Sequence, residues 1–327
     1  MRDIADGIAA WRAAGTAFVL ATVVRTRDSA PLAPGAAMAV SARGDVLGSV
    51  SGGCVEAAVY DVAREVLASG RAQLCAYGPG AGDAFEVGLT CGGTIEVLVA
   101  PVGDGLDAAV AAIREGRPTA VSWMVGGPGI LGAHRVHPPE GPTGIVHSGR
   151  DVLFTQAFPP PARMLVFGST DFAAAAVGVG KFLGYHVTVC DARPVFLTRQ
   201  RFPDADALVV RWPHQYLEEI SVDERTVICV LTHDPKFDVP VLAAALRTPA
   251  RYIGAMGSRR THEDRMRRLR EAGADAKTFD RISSPIGLDL GARTPRETAV
   301  SIAAEIVALE RGGSGRRLTE LDTPIHR

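Results

Sequence analysis

The spacing of apolar and polar residues predicts different arrangements in the two halves of the chain. In the first half, apolar runs and alternating segments predict strands at 17–24, 46–50, 72–76, 94–100 and 119–125. Apolar residues at helical spacing predict helices at 55–67 and 104–115. These elements indicate a mixed α/β unit, and the pattern leaves its topology open.

The second half shows a regular alternation of strands and helices. Strands are predicted at 164–167, 186–190, 207–210, 227–231 and 251–253, and helices at 172–183, 239–246, 259–271 and 295–309. Such alternation is typical of a Rossmann-like, doubly wound parallel sheet. The last helix has a clear start, because Thr294, Pro295 and Glu297 occupy the positions of a capping box with proline at the first helical position.

A run of three prolines marks the boundary between the halves. With 327 residues the chain is about two domains long if a domain has roughly 150 residues. We therefore expect an N-terminal α/β domain at 1–157, a Pro-rich linker at 158–162, a Rossmann-like cofactor-binding domain at 163–311 and a flexible tail at 312–327.

Composition narrows the classes of function. The net charge of −1 provides no overall field that would attract nucleic acid or an anionic membrane. The run containing Arg265, Arg267, Arg268 and Arg270 is basic, but the chain lacks an aromatic stacking platform beside it, so we expect no nucleic-acid partner. No apolar run reaches the roughly 18 residues of a spanning helix, and the N-terminus does not resemble a signal peptide. We expect a cytoplasmic protein without a membrane partner.

One strand–turn–helix–strand segment resembles a dinucleotide-binding unit. Gly168, Thr170 and Ala173 stand where the three glycines of the fingerprint are expected, and Asp191 follows the second strand. Thr170 departs from the pattern because its side chain needs space that a pyrophosphate would use. Asp191 is placed to bind a ribose hydroxyl, whereas Arg193 is placed to bind a phosphate. A nucleotide or NAD(P) site and a sheet without any dinucleotide are both left open.

Polar residues collect where the predicted parallel strands end. Ligands of such sheets bind outside the carboxyl ends of the strands. The residues at these positions are Asp171, Asp191, Arg193, Trp212, His214, His233, Asp234, Met256, Gly257, Ser258, Arg259 and Arg260.

Among these positions the loop at 254–260 is the strongest candidate for an anion site. Gly254, Met256, Gly257 and Ser258 lead into a helix N-terminus, where free N–H groups and the helix dipole favour a negative charge. Arg259 and Arg260 supply two guanidinium groups that would complete a phosphate clamp. The alternative is that Ser258 only caps the helix and the arginines are only solvated.

His233 and Asp234 close a strand shortly before Asp238, a spacing that suits acid–base catalysis. Hydrogen bonds that anchor the loop explain the same residues equally well.

Two cysteines of the first half lie beside paired glycines. Cys54 follows Gly52 and Gly53 at the start of a predicted helix, a position that favours thiolate. Cys91 precedes Gly92 in a turn between strands, and such glycines permit close approach of a ligand or another backbone. Together the thiols suit a soft metal or a sulfur atom, although a free cysteine is more often a small buried hydrophobe. Five cysteines without a C-x-x-C motif argue against a disulfide framework and a standard zinc site.

Six sequence blocks, taken together, resemble the XdhC/CoxI family. They are GSVSGGCVE at 48–56, LTCGGTIEVLV at 89–99, VCDARPVF at 189–196, LTHDPKFD at 231–238, YIGAMGSRRTHEDR at 252–265 and PIGLDLGARTPRETAVSIAAEI at 285–306. The resemblance covers nearly the whole chain and keeps the family's order of blocks.

The resemblance implies a chaperone for molybdenum hydroxylases. Such accessory factors bind the molybdenum cofactor (molybdopterin with its metal), cooperate with a cysteine desulfurase and pass the cofactor to a xanthine dehydrogenase-type apoenzyme. The resemblance favours a maturation factor over an enzyme that acts alone. By this resemblance, Cys54 and Cys91 would contact molybdenum or sulfur, and 257–260 would contact the phosphate.

Other classes of function stay open in the sequence. The main alternative is an NAD(P)-dependent oxidoreductase that uses Asp191 for ribose and His233 for proton transfer. A third class is a scaffold without catalytic activity that bridges the cysteine desulfurase and the apoenzyme. The sequence leaves the oligomeric state undecided and allows a homodimer.

Overall fold

The fold is described from a computed structural model, which describes residues 1–79 and 92–322. The chain divides into two compact units, Met1–Pro160 and Pro161–Leu321. Phe158, which we assigned to the linker, is instead the last residue of a strand and is 4% exposed. The three prolines that follow it lie outside the strands and helices.

The first unit combines three helices with antiparallel strands among the residues described, 1–79 and 92–160. Its helices are α1 (Ala5–Ala13), α2 (Glu56–Ser69) and α3 (Leu106–Arg114). Its strands are β1 (Phe18–Arg27), β2 (Ala37–Ser41), β3 (Val46–Gly48), β4 (Gln73–Tyr77), β5 (Thr94–Pro101), β6 (Thr119–Gly126), β7 (His134–His137), β8 (Gly144–Ser148) and β9 (Asp151–Phe158). They form two sheets, with strand orders β3-β2-β1-β5-β4 and β7-β6-β9-β8.

Side chains of β1 alternate between two cores, which explains why this strand is apolar on both faces. Val19, Ala21 and Val23 pack in the cluster that contains the apolar face of α2. Phe18 and Leu20 point to the opposite cluster, which contains residues of α1, α3, β6 and β9. Since neighbouring side chains of a strand point to opposite faces, α2 covers one face of the larger sheet.

The sequence pattern missed several elements of the first unit. Helix α1 and strands β2, β7, β8 and β9 were not predicted. β7 and β8 are short and largely exposed or half-buried, so they lack the apolar run that marks a strand.

The second unit has a parallel six-stranded sheet with helices between its strands. Its strands are β10 (Arg163–Phe167), β11 (His186–Asp191), β12 (Ala207–Val210), β13 (Val227–Val230), β14 (Tyr252–Ala255) and β15 (Ile282–Ser283). Its helices are α4 (Asp171–Phe182), α5 (Pro213–Glu219), α6 (Pro235–Ala245), α7 (Arg259–Glu271) and α8 (Pro295–Arg311). The order β12-β11-β10-β13-β14-β15 is the 3-2-1-4-5-6 order of the Rossmann fold.

This order confirms the predicted fold class and locates its switch point. The strand order reverses between β10 and β13, whose residues pair in parallel from Met164 with Val227 to Phe167 with Val230. Ligands of such sheets bind in the crevice outside the carboxyl ends of these strands. That edge therefore carries the candidate site.

Helix ends show where local sequence signals were sufficient. The capping box is formed as predicted, because Thr294 accepts from Glu297 N while the Glu297 side chain accepts from the Thr294 backbone. Helix α6 begins at Pro235, four residues before the predicted start, since Asp234 caps it and a proline fits the first turn. Pro240 lies inside this helix, and a proline at such a position makes the start of a helix difficult to predict from sequence.

Among the residues that the structure describes, no helix is long and apolar enough to cross a membrane.

Candidate functional site

A cavity of about 360 Å³ opens at the carboxyl edge of the parallel sheet. Its volume lies in the range of small-molecule sites. The lining residues come from the ends of strands and the starts of helices: Phe172, His233, Met256, Gly257, Ser258, Thr261, Pro285, Ile286 and Thr298. Four of the sequence-predicted residues, His233, Met256, Gly257 and Ser258, thus meet at one cavity.

The N-terminus of α7 contributes Ser258 and Thr261 to the lining of this cavity, whereas Arg259 and Arg260, which carry unpaired donors, are not among the lining residues. Ser258 caps the helix by accepting from Thr261 N at 3.2 Å, which is the structural role we had considered. In the described part of the chain, the N–H groups of Arg259 and Arg260 have no acceptor, and neither guanidinium has an ion-pair partner. Both arginines are exposed. Cations are unfavourable at the positive end of a helix dipole, so an anion bound here would relieve that cost.

Gly257 and Gly254 have different reasons to be glycine. Gly257 has φ +149°, and an added Cβ would lie 3.0 Å from Thr261, so the turn into α7 favours glycine. Gly254 lies inside β14, where a Cβ would lie 2.4 Å from Ile286. Gly254 therefore lies in the sheet and not in the loop, where the absence of a side chain leaves room for Ile286, and its contact with a cofactor stays a prediction.

A buried ion pair between Arg265 and Asp238 holds the loop before α7 in place. Arg265 donates to the Asp238 carboxylate at 2.9 Å and to the Met256 carbonyl at 2.7 Å, and it also reaches Ser284. Thr232 donates to the other oxygen of Asp238. Arg265 thus ties α7 and the end of β14 to α6. Arg265 is thus a buried member of the basic run that also contains Arg267, Arg268 and Arg270.

Two other arginines of that run form ion pairs on the surface of α7. Arg267 pairs with Asp264 and Glu271, and Arg268 pairs with Asp264. Their charge is therefore matched locally.

His233 and Asp234 take different positions at the end of β13. His233 is exposed and lines the cavity. Asp234 is the N-cap of α6, accepting from Lys236 N at 3.1 Å, and its carboxylate pairs with Lys236 Nζ at 3.1 Å. The backbone and side-chain hydrogen bonds of Lys236 lower the pKa of Asp234. These contacts favour the anchoring role for Asp234 over acid–base catalysis.

The turn after β10 packs closely against the backbone that follows β13. Gly168 has φ +110°, and a Cβ there would lie 3.1 Å from the backbone of Leu231 and Thr232. Thr170 is the N-cap of α4: it accepts from Ala173 N at 3.2 Å and donates to the Leu231 carbonyl. Its side chain is thus used to cap the helix at the place where a dinucleotide fingerprint has its second glycine.

Asp171, the first residue of α4, pairs through its carboxylate with Arg201 at 3.1 Å. A surface ion pair of this kind gives no sign of a ligand role.

Asp191 and Arg193, predicted as alternative ligands, bind each other. The Asp191 carboxylate accepts from Ser169 N and Oγ at 2.8 and 2.7 Å, and from the Arg193 backbone and guanidinium. Burial opposes ionisation, but the hydrogen bonds from Arg193 and Ser169 outweigh it and lower the pKa of Asp191. Asp191 is 2% exposed, so a ribose hydroxyl would have to displace one of these partners.

In the first unit, Cys54 lies just before α2 in a loop built around a carboxylate. Glu56 is the first residue of α2 and Val55 its N-cap, so Cys54 is outside the first turn of the helix. Cys54 N donates to Ser51 Oγ at 3.0 Å, and Ser51 Oγ donates to Glu56 at 2.6 Å. Burial opposes ionisation of Glu56, but hydrogen bonds from Ser49 and Ser51 lower its pKa to about 2.

Three glycines near the predicted thiols have free space where a side chain would begin. Gly52, Gly53 and Gly92 have φ of +75°, +121° and +77°, and among residues 1–79 and 92–322 no atom lies within 4 Å of an added Cβ. Gly93 is different, because its Cβ would lie 2.4 Å from the Ser29 carbonyl. The other predicted thiol, Cys91, lies outside the described residues.

Two further cysteines are buried inside strands of the parallel sheet. Cys190 and Cys229 are 1% and 0% exposed in β11 and β13. Burial raises the pKa of each to about 12, so neither is a ready thiolate. Among residues 1–79 and 92–322, no group of three His, Cys, Asp or Glu side chains is arranged to hold a metal ion.

A larger cavity of about 600 Å³ lies in the first unit and contains none of the predicted site residues. His134 at its wall packs on the Trp123 ring at 4.6 Å. Burial, with help from Arg12, lowers the pKa of His134.

The sequence analysis did not single out Glu56, and it named Asp238 and Arg265 without predicting that they form a pair. A signal for Arg265 existed: it shares the buried face of α7 with Met266 and Leu269, whereas Arg267 and Arg268 are exposed. Glu56 gave a weaker signal, an acidic residue directly after a run of small residues and cysteine.

Comparisons with known proteins agree with this architecture. A family model described as the XdhC Rossmann domain matches residues 164–306, and one described as the XdhC and CoxI family matches residues 11–78. The chain is similar to the molybdenum cofactor insertion chaperone PaoD of Escherichia coli, with 29% identity over 90% of this chain and 84% of that protein. It is also similar to a Bacillus subtilis protein described as a probable xanthine dehydrogenase subunit, with 28% identity over 88% of this chain and 92% of that protein.

A solved structure has the same fold. It is a crystal structure of a protein from Bacillus halodurans described as a xanthine dehydrogenase, with a TM-score of 0.75 and 25% identity. The similarity covers 97% of this chain and 98% of that one.

Proposed function

Because the chain belongs to the XdhC and CoxI family, we propose that it binds the molybdenum cofactor and delivers it to a xanthine dehydrogenase-type molybdenum hydroxylase. The similarity to a molybdenum cofactor insertion chaperone over 90% of the chain supports this role. In this proposal the cofactor is cargo, and the chain is a maturation factor.

One structural observation carries the proposal: the cavity at the carboxyl edge of the Rossmann-like sheet combines donors for an anion with an apolar wall. Free N–H groups and guanidiniums of Arg259 and Arg260 lie at one end of α7. The side chains of Phe172, Met256 and Ile286 line the same cavity. A molecule with a phosphate group and a flat ring system fits these two kinds of surface.

We assign the phosphate of the cofactor to the N-terminus of α7. Arg259 and Arg260 would hold its charge, and Ser258 and Thr261 would contribute hydroxyl groups. Arg265 would keep the loop in shape through the Met256 carbonyl, without touching the phosphate.

The thiol part of the proposal concerns the first unit. We propose that Cys54 and Cys91 contact the metal or its sulfur, since thiolates are soft ligands that suit molybdenum–sulfur chemistry. The open faces of Gly52 and Gly53 beside Cys54 support close approach of a ligand.

Partners follow from the same proposal. A cysteine desulfurase would supply sulfur, and a molybdenum hydroxylase apoenzyme would receive the cofactor. Co-purification of the chain with each partner tests this, and sedimentation of the chain alone measures whether it forms a homodimer.

Arginine variants test the phosphate site. Cofactor released from a purified molybdenum hydroxylase serves as the probe, and its dissociation constant is measured for each variant. The double variant Arg259→Ala/Arg260→Ala should bind about tenfold more weakly or worse, since each charge-assisted hydrogen bond contributes about 1.5–3 kcal/mol. Arg267→Ala on the same helix should bind as wild type does, because Arg267 already pairs with Asp264 and Glu271.

Unchanged affinity in the double variant would contradict the phosphate site. The thiol part is separate: if Cys54→Ala and Cys91→Ala both bind cofactor as tightly as wild type and support full activity of the target enzyme, it is wrong.

A further inference from the structure

The loop before α2 is folded around the side chain of Glu56. Oε1 of this carboxylate accepts from Ser49 Oγ at 2.5 Å, Val50 N at 3.2 Å and Ser51 N at 2.8 Å. Oε2 accepts from Ser51 Oγ at 2.6 Å, Gly53 N at 2.8 Å and Val55 N at 3.2 Å. Six donors therefore converge on one carboxylate.

The remaining N–H groups of the loop bind two serine hydroxyls. Gly52 N donates to Ser49 Oγ at 2.8 Å, and Cys54 N donates to Ser51 Oγ at 3.0 Å. Every backbone N–H from Val50 to Val55 is thus directed inward, to Glu56 or to a serine that Glu56 holds. Residues 50–55 lie outside the strands and helices, so this network, together with the buried side chains of Val50 and Val55, defines the shape of the loop.

Ser51 connects the carboxylate to Cys54. Its hydroxyl has one proton, which it donates to Glu56, and two lone pairs, which accept from Cys54 N and Val55 N. Ser51 is 2% exposed, so these groups cannot exchange readily for water. The Ser49 hydroxyl donates to Glu56 and accepts from Gly52 N in the same way.

We propose that Glu56, acting through Ser51, is the positioning residue that orients Cys54 for contact with the bound cofactor. Glu56 fills the donor cage with the chain's own negative charge, so the amides of this loop are not an anion site. The exposed faces of Gly52 and Gly53 remain open on the outside of the cage, beside the thiol. That the orientation of Cys54 serves contact with the cofactor rests on the proposed function. The orientation itself is tested by the reactivity of the Cys54 thiol.

Glutamine cannot replace Glu56 in this cage. A carboxylate offers two acceptor oxygens, but an amide offers one oxygen and an NH₂ group that donates. In Glu56→Gln the NH₂ group would face donors such as Gly53 N–H or Ser51 O–H, so one side of the cage must open. The Ser51 hydroxyl then loses its fixed direction, and Cys54 N loses a fixed acceptor.

Alkylation of Cys54, followed by peptide mass analysis of the full chain, measures the orientation. Glu56→Gln and Ser51→Ala should alkylate at Cys54 about fivefold faster or more, the change expected when one or two hydrogen bonds no longer hold a loop closed. Cys75 in β4 of the same unit is the internal control, and its rate should not change. Binding of isolated cofactor should weaken in the same two variants, so reactivity rises while affinity falls.

Two matched variants separate positioning from general damage. Ser49→Ala removes a hydroxyl bound to Glu56 and Gly52 but leaves the Ser51 hydroxyl that binds Cys54 N, so the alkylation rate of Cys54 should rise much less than in Ser51→Ala. Asp61→Asn removes an exposed carboxylate of α2 and should change nothing. If Glu56→Gln does not fold, Ser51→Ala against Ser49→Ala decides the result.

The proposal is overturned if Cys54 in folded Ser51→Ala or Glu56→Gln alkylates as in wild type, or if Ser49→Ala has the same effect as Ser51→Ala. Faster alkylation of Cys54 and Cys75 together would indicate general loosening, which also overturns it. Failure of the proposed function looks different, because Cys54→Ala would then bind cofactor normally while the alkylation pattern stays as predicted.

Discussion

Arg265 donates a hydrogen bond of 2.9 Å to Asp238, and both residues are only 3% exposed. The pair lies directly under the loop from Met256 to Ser258, because the same guanidinium nitrogen reaches the Met256 carbonyl. Removing one partner of a buried ion pair leaves an uncompensated charge, which is much more costly than losing an exposed pair.

Arg265→Met should therefore lower the free energy of unfolding by about 3–5 kcal/mol. Burial raises the pKa of Asp238 although Thr232 and Arg265 oppose the rise. Without Arg265 the pKa of Asp238 should rise further, and a raised carboxyl pKa favours the folded state at low pH and loses that effect as pH rises. The deficit of the variant relative to wild type should therefore shrink in acid. Urea unfolding at neutral and acidic pH measures both effects. Arg267→Ala, on the exposed side of α7, should unfold close to wild type, and an equal loss in both variants would contradict the assignment.

Two glycines of the second unit should respond to alanine in opposite directions. Gly168→Ala places a Cβ against the backbone of Leu231 and Thr232 at positive φ, so it should cost about 1–3 kcal/mol. Gly178→Ala in α4 meets no atom within 4 Å and should stabilise the unit by about 0.4–1 kcal/mol. Denaturation midpoints of the two variants check the difference in sign. A neutral Gly168→Ala would show that the turn after β10 is less tightly packed than the structure indicates.

Glu56 should make the stability of the first unit depend on pH in acid. Its pKa is about 2 in the folded chain against an ordinary value of 4.5. A lowered carboxyl pKa stabilises the folded state above the ordinary value, and this stabilisation is lost as pH falls from about 4.5 to about 2. The difference in urea midpoint between wild type and Glu56→Gln should therefore narrow over that range. Asp61→Asn is the control, and a constant difference would contradict the network around Glu56.

Titration with NADH should give no saturable binding. The Asp191 carboxylate that would hold a ribose already binds Ser169 and Arg193, and Thr170 caps α4 where the fingerprint has glycine. NADH fluorescence during titration of the purified chain measures this. Saturable binding at micromolar concentrations would support the oxidoreductase alternative instead.

The second unit could be predicted from sequence because its signals are local. Helix α7 at Arg259–Glu271 and strand β12 at Ala207–Val210 have the predicted bounds, and the Thr294–Glu297 capping box is formed as expected. The first unit was harder, because β7 and β8 are short and largely exposed or half-buried, so no apolar run marks them. The pairing of β1 with β5 also joins segments that are far apart in the chain.

The candidate site could be predicted in part. Residues after parallel strands meet at one edge by geometry, which is why His233, Met256 and Ser258 reach the same cavity. Which polar residues neutralise each other could not be predicted, since that depends on packing in three dimensions. Asp191 with Arg193, and Asp238 with Arg265, are pairs of that kind.

The most direct test is to identify what the purified chain carries and what it delivers. The chain is isolated gently from cells that synthesise the molybdenum cofactor, released small molecules are identified by mass, and the loaded protein is added to apo molybdenum hydroxylase. The account predicts a bound molybdopterin compound and a gain of hydroxylase activity that Arg259→Ala/Arg260→Ala reduces. A chain that carries no pterin and does not activate the apoenzyme would contradict it.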